Sequence, residues 1–156
     1  YLNCYSRLYG LDYTTLRFAN VYGPRQYKGG EAGVIAIFVE NAVRGQESAQ
    51  YGDGLQTRDF VYVDDVVSAL ARAREIACRC EINIGTGIES SLLDVRLAIE
   101  KALGQPIAVR EEPGKPGEQQ RSCLSHQRAA DVLGWQPEVS LEEGIARTVA
   151  WAREQK

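Results

Sequence analysis

Short runs of branched and aromatic residues alternate along this chain with amphipathic segments whose ends carry caps. That alternation is the strongest constraint on its fold. Tyr13–Phe18 reads as a strand. A loop through Asn20–Arg25 follows, reaching Gly29-Gly30. Val34, Ile35, Phe38, Val39, Ala42 and Val43 repeat at helical spacing up to a stop at Gly45. A short strand at Ala49–Tyr51 meets the turn Gly52-Asp53-Gly54, a hairpin-like signal. Arg58–Val63 is a continuous β-type run, and Asp64 is placed to cap a helix through Val66, Val67, Leu70 and Ala73.

Further strands are expected at Glu81–Ile84 and Ile107–Val109. Ser91 with Asp94 starts a helix that stops before Gly104, and Ser125 caps a short one ending at Leu133-Gly134. Ser140 with Glu143 makes a capping box for a last helix with the stripe Leu141, Ile145, Val149. Strands alternating with helices place the chain in the α/β class.

The first nine residues carry Leu2, Tyr5 and Leu8 at helical spacing, and Gly10 supplies a stop. No capping residue precedes Tyr1, and the sequence has no Met. We therefore expect the chain to begin inside a helix. Hydrophobic residues make up 44% of the chain and charged residues 25%, which is globular composition. The formal net charge of -3 argues against a nucleic-acid partner but leaves room for a local basic pocket. No apolar run is long enough to span a bilayer, and no segment has the build of a signal peptide. The spacing of Cys78 and Cys80 and the lone His126 fit no metal site. All four cysteines are read as reduced thiols of a cytoplasmic protein, and His126 as a surface residue.

Candidate chemistry concentrates in the loops. Gly85-Thr86-Gly87-Ile88-Glu89-Ser90 has a strand before it and a helix after it, as a dinucleotide-binding turn does. Ser90 replaces the third glycine, so a structural turn is the preferred reading. Asn20 follows a strand end, where it can serve a sugar or phosphate or bond its own backbone. Arg58 suits forked phosphate recognition, or a structural ion pair with Asp59 or with a partner farther along the chain. Tyr51 can stack on a base or pack in a strand. Lys115 and Glu118 flank Pro116-Gly117 in the polar loop 112–120. No catalytic triad or paired-carboxylate site can be assembled.

Five segments together carry a resemblance. They are Leu16-Arg17-Phe18-Ala19-Asn20-Val21-Tyr22-Gly23-Pro24-Arg25-Gln26, Gly52-Asp53-Gly54-Leu55-Gln56-Thr57-Arg58-Asp59-Phe60-Val61-Tyr62-Val63-Asp64-Asp65-Val66, Asn83-Ile84-Gly85-Thr86-Gly87, Lys115-Pro116-Gly117-Glu118 and Leu133-Gly134-Trp135-Gln136-Pro137. Their ordered set resembles the C-terminal part of the NAD-dependent epimerase/dehydratase family of extended short-chain dehydrogenases/reductases. The UDP-glucose 4-epimerase branch is nearest, with dehydratases and decarboxylases of nucleotide sugars beside it.

The resemblance implies a remnant of a Rossmann-type doubly wound parallel sheet over residues 1–30. A small α/β substrate-binding domain is implied over 31–156. It implies NAD as cofactor, held mainly by a half that precedes Tyr1 in the family. The catalytic Tyr-x-x-x-Lys would lie there too, since no Lys stands four residues after Tyr1 or Tyr5. By the family's pattern, Phe18 and Val21 line the nicotinamide end. Asn20, Val34, Ile35, Tyr51, Arg58, Lys115 and Glu118 meet the nucleotide sugar, with Lys115 standing where the family often has Arg. A homodimer and a UDP-sugar substrate are further expectations. A non-catalytic nucleotide-sugar-binding module is the alternative from another class.

Overall fold

A computed structural model describes residues 1–26 and 33–155. The expected loop stretch through Gly29-Gly30 and the boundary between residues 30 and 31 lie outside the described residues. In chain order the elements are α1 (Leu2–Tyr9), β1 (Thr14–Phe18), β2 (Asn20–Tyr22), α2 (Val34–Val43), β3 (Ser48–Tyr51), β4 (Thr57–Arg58) and β5 (Phe60–Tyr62). They continue as α3 (Val63–Ala73), β6 (Cys80–Ile84), β7 (Ser90–Ser91), α4 (Leu92–Leu103), β8 (Val109–Glu112), α5 (Gln127–Leu133) and α6 (Leu141–Glu154). The class is α/β, as the alternation requires.

Three strand pairs are parallel: β1 with β6, β2 with β5, and β3 with β8. The fourth, β4 with β7, is antiparallel. Asn20–Tyr22, expected as loop, is a strand because its partner is Phe60–Tyr62, forty residues away. The Gly52-Asp53-Gly54 turn joins no hairpin: β3 on one side pairs with β8, and β4 on the other pairs with β7. The run Arg58–Val63 breaks at Asp59 and ends at Tyr62. The eighth strand lies at Val109–Glu112, later than expected.

The core forms two clusters that share β5. Phe60 and Tyr62 pack with α2, α4 and α6 residues such as Phe38, Val95, Ile99 and Ile145. Val61 points the other way, toward Val66, Ile82, Ile84, Leu133 and Trp135. Period-two alternation in one short strand thus feeds both sides. Burying each large aliphatic side chain in these clusters is worth about 1.5–3 kcal/mol. The expected stripe of α6 is realised, with Ile145 and Val149 both buried.

The glycine stops follow the sequence, and the N-terminal caps follow it only in part. Gly10, Gly104 and Gly134 end their helices in the left-handed region. Ser91 and Asp94 form a complete capping box. At α6, Ser140 accepts from Glu143 N at 3.2 Å, but Glu143 turns its carboxylate to Arg147 instead of closing the box. Asp64 does not cap α3: the helix begins at Val63, and Asp64 and Asp65 occupy its first turn. Asp65 is spent on the 138–139 loop, accepting from Glu138 N and Val139 N at 3.2 Å each. Its backbone carbonyl accepts from Trp135 Nε1 at 3.0 Å. Ser125 does not cap α5 either, whose N-cap position is His126.

Two further expectations are corrected. Cys78 and Cys80 are joined by a disulfide, while Cys4 and Cys123 are free and exposed. Arg79 between them adopts a positive φ of 50°, and the two cysteine Cα atoms lie 5.2 Å apart. A compartment argument could not foresee that local geometry. His126 is half-buried, with its ring edge-on to Trp135 at 6.2 Å. No helix among the described residues is long and apolar enough to cross a membrane.

Candidate functional site

A cleft of about 410 Å³ opens between α2, the β3–β4 segment and the loop that follows β8. One wall is helical. Val34, Ile37 and Phe38 lie at i, i+3 and i+4 on α2, the spacing that puts them on one face. Ile35 is rotated about 100° from Val34, packs in the core and does not line the cleft. Ile37 is the residue that takes its expected place.

The floor and opposite wall come from strand ends. Asn20 and Phe60 are register partners at the starts of β2 and β5, and both line the cleft. The Asn20 backbone N–H donates to Asp59 O at 2.9 Å, which sets the residue at the cleft rim. Its side chain is exposed. On β3, Ala49 and Tyr51 face the cleft, while Ser48 and Gln50 alternate into the interior. Tyr51 is 38% exposed.

Charge enters from three residues. Arg58 Nη1 donates to Thr57 O at 2.8 Å, and Nη2 stands 3.7 Å from Glu118 Oε1. Lys115 Nζ lies 4.1 Å above the centroid of the Tyr51 ring, a cation–π contact. Six expected residues therefore meet around one cavity: Asn20, Val34, Tyr51, Arg58, Lys115 and Glu118. Ile37, Phe38, Gln56, Phe60 and Leu92 join them without having been singled out. Gln56 stands two residues before Arg58, the spacing that shares a face in extended chain.

Phe18 and Val21 lie elsewhere. Phe18 is exposed at the end of β1, and Val21 packs against the second core cluster. Asp59 forms no pair with Arg58. It is 1% exposed, and its carboxylate accepts from Thr86 N at 2.8 Å, Thr86 Oγ1 at 2.6 Å, Gly87 N at 3.1 Å and Leu124 N at 3.2 Å. The buried acid thereby ties the glycine turn to the loop before α5.

That arrangement decides what the glycine turn can do. A dinucleotide pyrophosphate needs free backbone N–H groups at such a turn. Here those of Thr86 and Gly87 are already used, so the turn is structural and does not fit NAD. Among the described residues no cluster of His, Cys, Asp and Glu is placed to hold a metal ion. The cleft offers recognition instead: an aromatic face, a forked cation, a carboxylate and an amide. Among the described residues it presents no nucleophile–base pair.

The model of the NAD dependent epimerase/dehydratase family matches residues 1–85. The chain is 49% identical over 154 residues to the UDP-glucose 4-epimerase of Mycolicibacterium smegmatis, covering 98% of this chain and 49% of that protein. Among solved structures, the UDP-glucose 4-epimerase of Thermotoga maritima with UDP-glucose superposes with a TM-score of 0.92 at 44% identity. That match covers 99% of this chain and 50% of the other. The Thermus thermophilus UDP-glucose 4-epimerase in complex with NAD gives 0.89 at 40% identity, covering 98% and 50%. The chain spans about half the length of the curated relatives it matches. By sequence and by fold, it belongs to the NAD-dependent epimerase/dehydratase family.

Proposed function

We propose that this chain is the substrate-binding part of a nucleotide-sugar 4-epimerase, an isomerase acting on a UDP-hexose. The carrying observation is the convergence of Arg58, Glu118, Tyr51, Lys115 and Asn20 on one cleft. Arg58 presents two forked N–H groups to a diphosphate. Glu118 accepts from ribose hydroxyls, and Tyr51 packs against the base. Val34 flanks the base from α2, and Asn20 meets the sugar or its phosphate. Lys115 adds charge but lacks the bidentate geometry of arginine.

NAD binding and the proton-transferring Tyr-x-x-x-Lys belong, in this proposal, to residues outside the chain. Phe18 stays exposed at the end of β1, where it can border the nicotinamide, and Val21 lies just beyond it. The bare edge of β1 and the exposed Leu2, Tyr5 and Leu8 of α1 suit further polypeptide completing the sheet, with a second copy forming a homodimer. A cytoplasmic location is part of the same proposal. The 156-residue chain alone is expected to turn over no substrate.

The test is calorimetric titration of the full-length gene product with UDP, together with NMR analysis of the product from UDP-galactose. Arg58→Ala should weaken UDP by roughly tenfold or more, a loss of about 1.5–3 kcal/mol. Unchanged affinity would remove Arg58 from the site. A C4 epimer as product supports the isomerase. A keto-deoxy sugar would mean a dehydratase working through the same cleft.

A further inference from the structure

The loop between β8 and α5 carries Lys115 and Glu118, which line the cleft. Both residues lie outside any helix or paired strand, so their positions depend on how the loop is held. Ordering a free loop costs about 1–2 kcal/mol per residue in backbone entropy. Two backbone bonds begin the fastening. Thr57 N donates to Gln120 O at 2.8 Å, and Ser122 N donates to Thr57 O at 3.2 Å.

Side chains complete it. Arg121 meets Glu89 with both prongs, Nε at 2.9 Å and Nη2 at 2.7 Å. The same carboxylate accepts from Thr57 Oγ1 at 2.5 Å. Glu89 stands one residue before β7, which pairs with β4 through Thr57↔Ser91 and Arg58↔Ser90. Three segments distant in sequence therefore converge on one carboxylate. Successive strand residues point to opposite faces, so this fastening lies behind the strand that shows Arg58 to the cleft. Neither Glu89 nor Arg121 lines the cleft itself.

A lone surface ion pair would contribute little, and Arg121 is largely exposed. This pair differs in being bidentate and in sharing its acceptor with a third donor. We propose that Glu89, Thr57 and Arg121 form a clamp that sets the loop carrying Lys115 and Glu118, which makes Glu89 and Arg121 positioning residues for nucleotide binding. The proposal rests on the reading of the cleft as a nucleotide-sugar site.

The experiment is calorimetric titration with UDP of the full-length gene product. The variants are E89Q, R121A, R121K, R58A, K115A/E118A and K115A/E118A/R121A, each with its melting temperature recorded. E89Q and R121A should weaken UDP by roughly three- to tenfold, with R121K between R121A and the parent, because lysine keeps charge but not the fork. On the K115A/E118A background, R121A should weaken UDP no further, since the residues it positions are gone. Unchanged affinity in E89Q and R121A, with R58A weakened, overturns the clamp alone. An equal loss from R121A on both backgrounds overturns the positioning role in favour of general destabilisation. Silence of R58A as well overturns the reading of the cleft, and the clamp with it.

Discussion

Arg58 Nη2 and Glu118 Oε1 face each other at 3.7 Å, with the two side chains 21% and 26% exposed. The separation is too long for a direct hydrogen bond and short enough for each charge to feel the other. A ligand with phosphates on one side and hydroxyls on the other would engage both.

The first prediction follows from that pair. Glu118→Ala should weaken UDP by roughly tenfold, through loss of a charged acceptor. The same change should leave inorganic pyrophosphate no weaker, because Arg58 keeps its fork and loses a competing carboxylate. Competition titrations with the two ligands separate the effects. Equal weakening of both would mean that Glu118 does not act on the nucleoside end.

Asp59 is a fold determinant next to a binding residue. Asp59→Ala strands three backbone donors, at Thr86, Gly87 and Leu124. We expect a loss of about 3–5 kcal/mol, read as a lower urea midpoint. A change below about 1 kcal/mol would show that the freed N–H groups find water.

Gly144 lies in α6 against two tyrosines. A Cβ there would collide with Tyr22 Oη and come within 2.9 Å of Tyr62 Cδ2. Gly144→Ala should therefore destabilise by about 1–3 kcal/mol, although alanine is the better helix former by about 1 kcal/mol. Tyr22→Phe removes the hydroxyl and should recover part of the loss. Additive effects in the double variant would contradict the contact.

The Glu89 carboxyl titrates at about 2, held down chiefly by its hydrogen bonds from Arg121 and then Thr57, against an ordinary value of 4.5. A depressed carboxyl contributes stability that is complete above the unfolded value and fades as pH falls toward the folded one. The contribution should be whole above pH 4.5 and vanish as pH falls to about 2. Chemical denaturation of the parent and Glu89→Gln at pH 7 and pH 3 checks this. The gap between them should narrow at the lower pH, and a constant gap would refute it.

Thiol counting tests the disulfide. Without reductant, Cys4 and Cys123 should react and Cys78 and Cys80 should not. Reaction of all four before reduction would show the pair to be open in solution.

Several features set by neighbours in sequence were legible from sequence, although the caps expected at Asp64 and Ser125 did not form. The left-handed caps at Gly10, Gly104 and Gly134, the Ser91–Asp94 box and the Ile145–Val149 stripe all depend on residues within one or two turns. The family was legible because ordered motifs carry the resemblance, and that resemblance named six of the residues that line the cleft. Tertiary structure decided the rest. It made Asn20–Tyr22 a strand through a partner forty residues away, and it rotated Ile35 into the core while presenting Ile37. It also turned Asp59 from the neighbouring Arg58 toward donors at positions 86, 87 and 124. The physical reason is the same in each case. Caps and stripes are satisfied within one element, whereas strand pairing, the face a helix buries and the partner of a buried charge are settled by groups that meet only when the chain has folded.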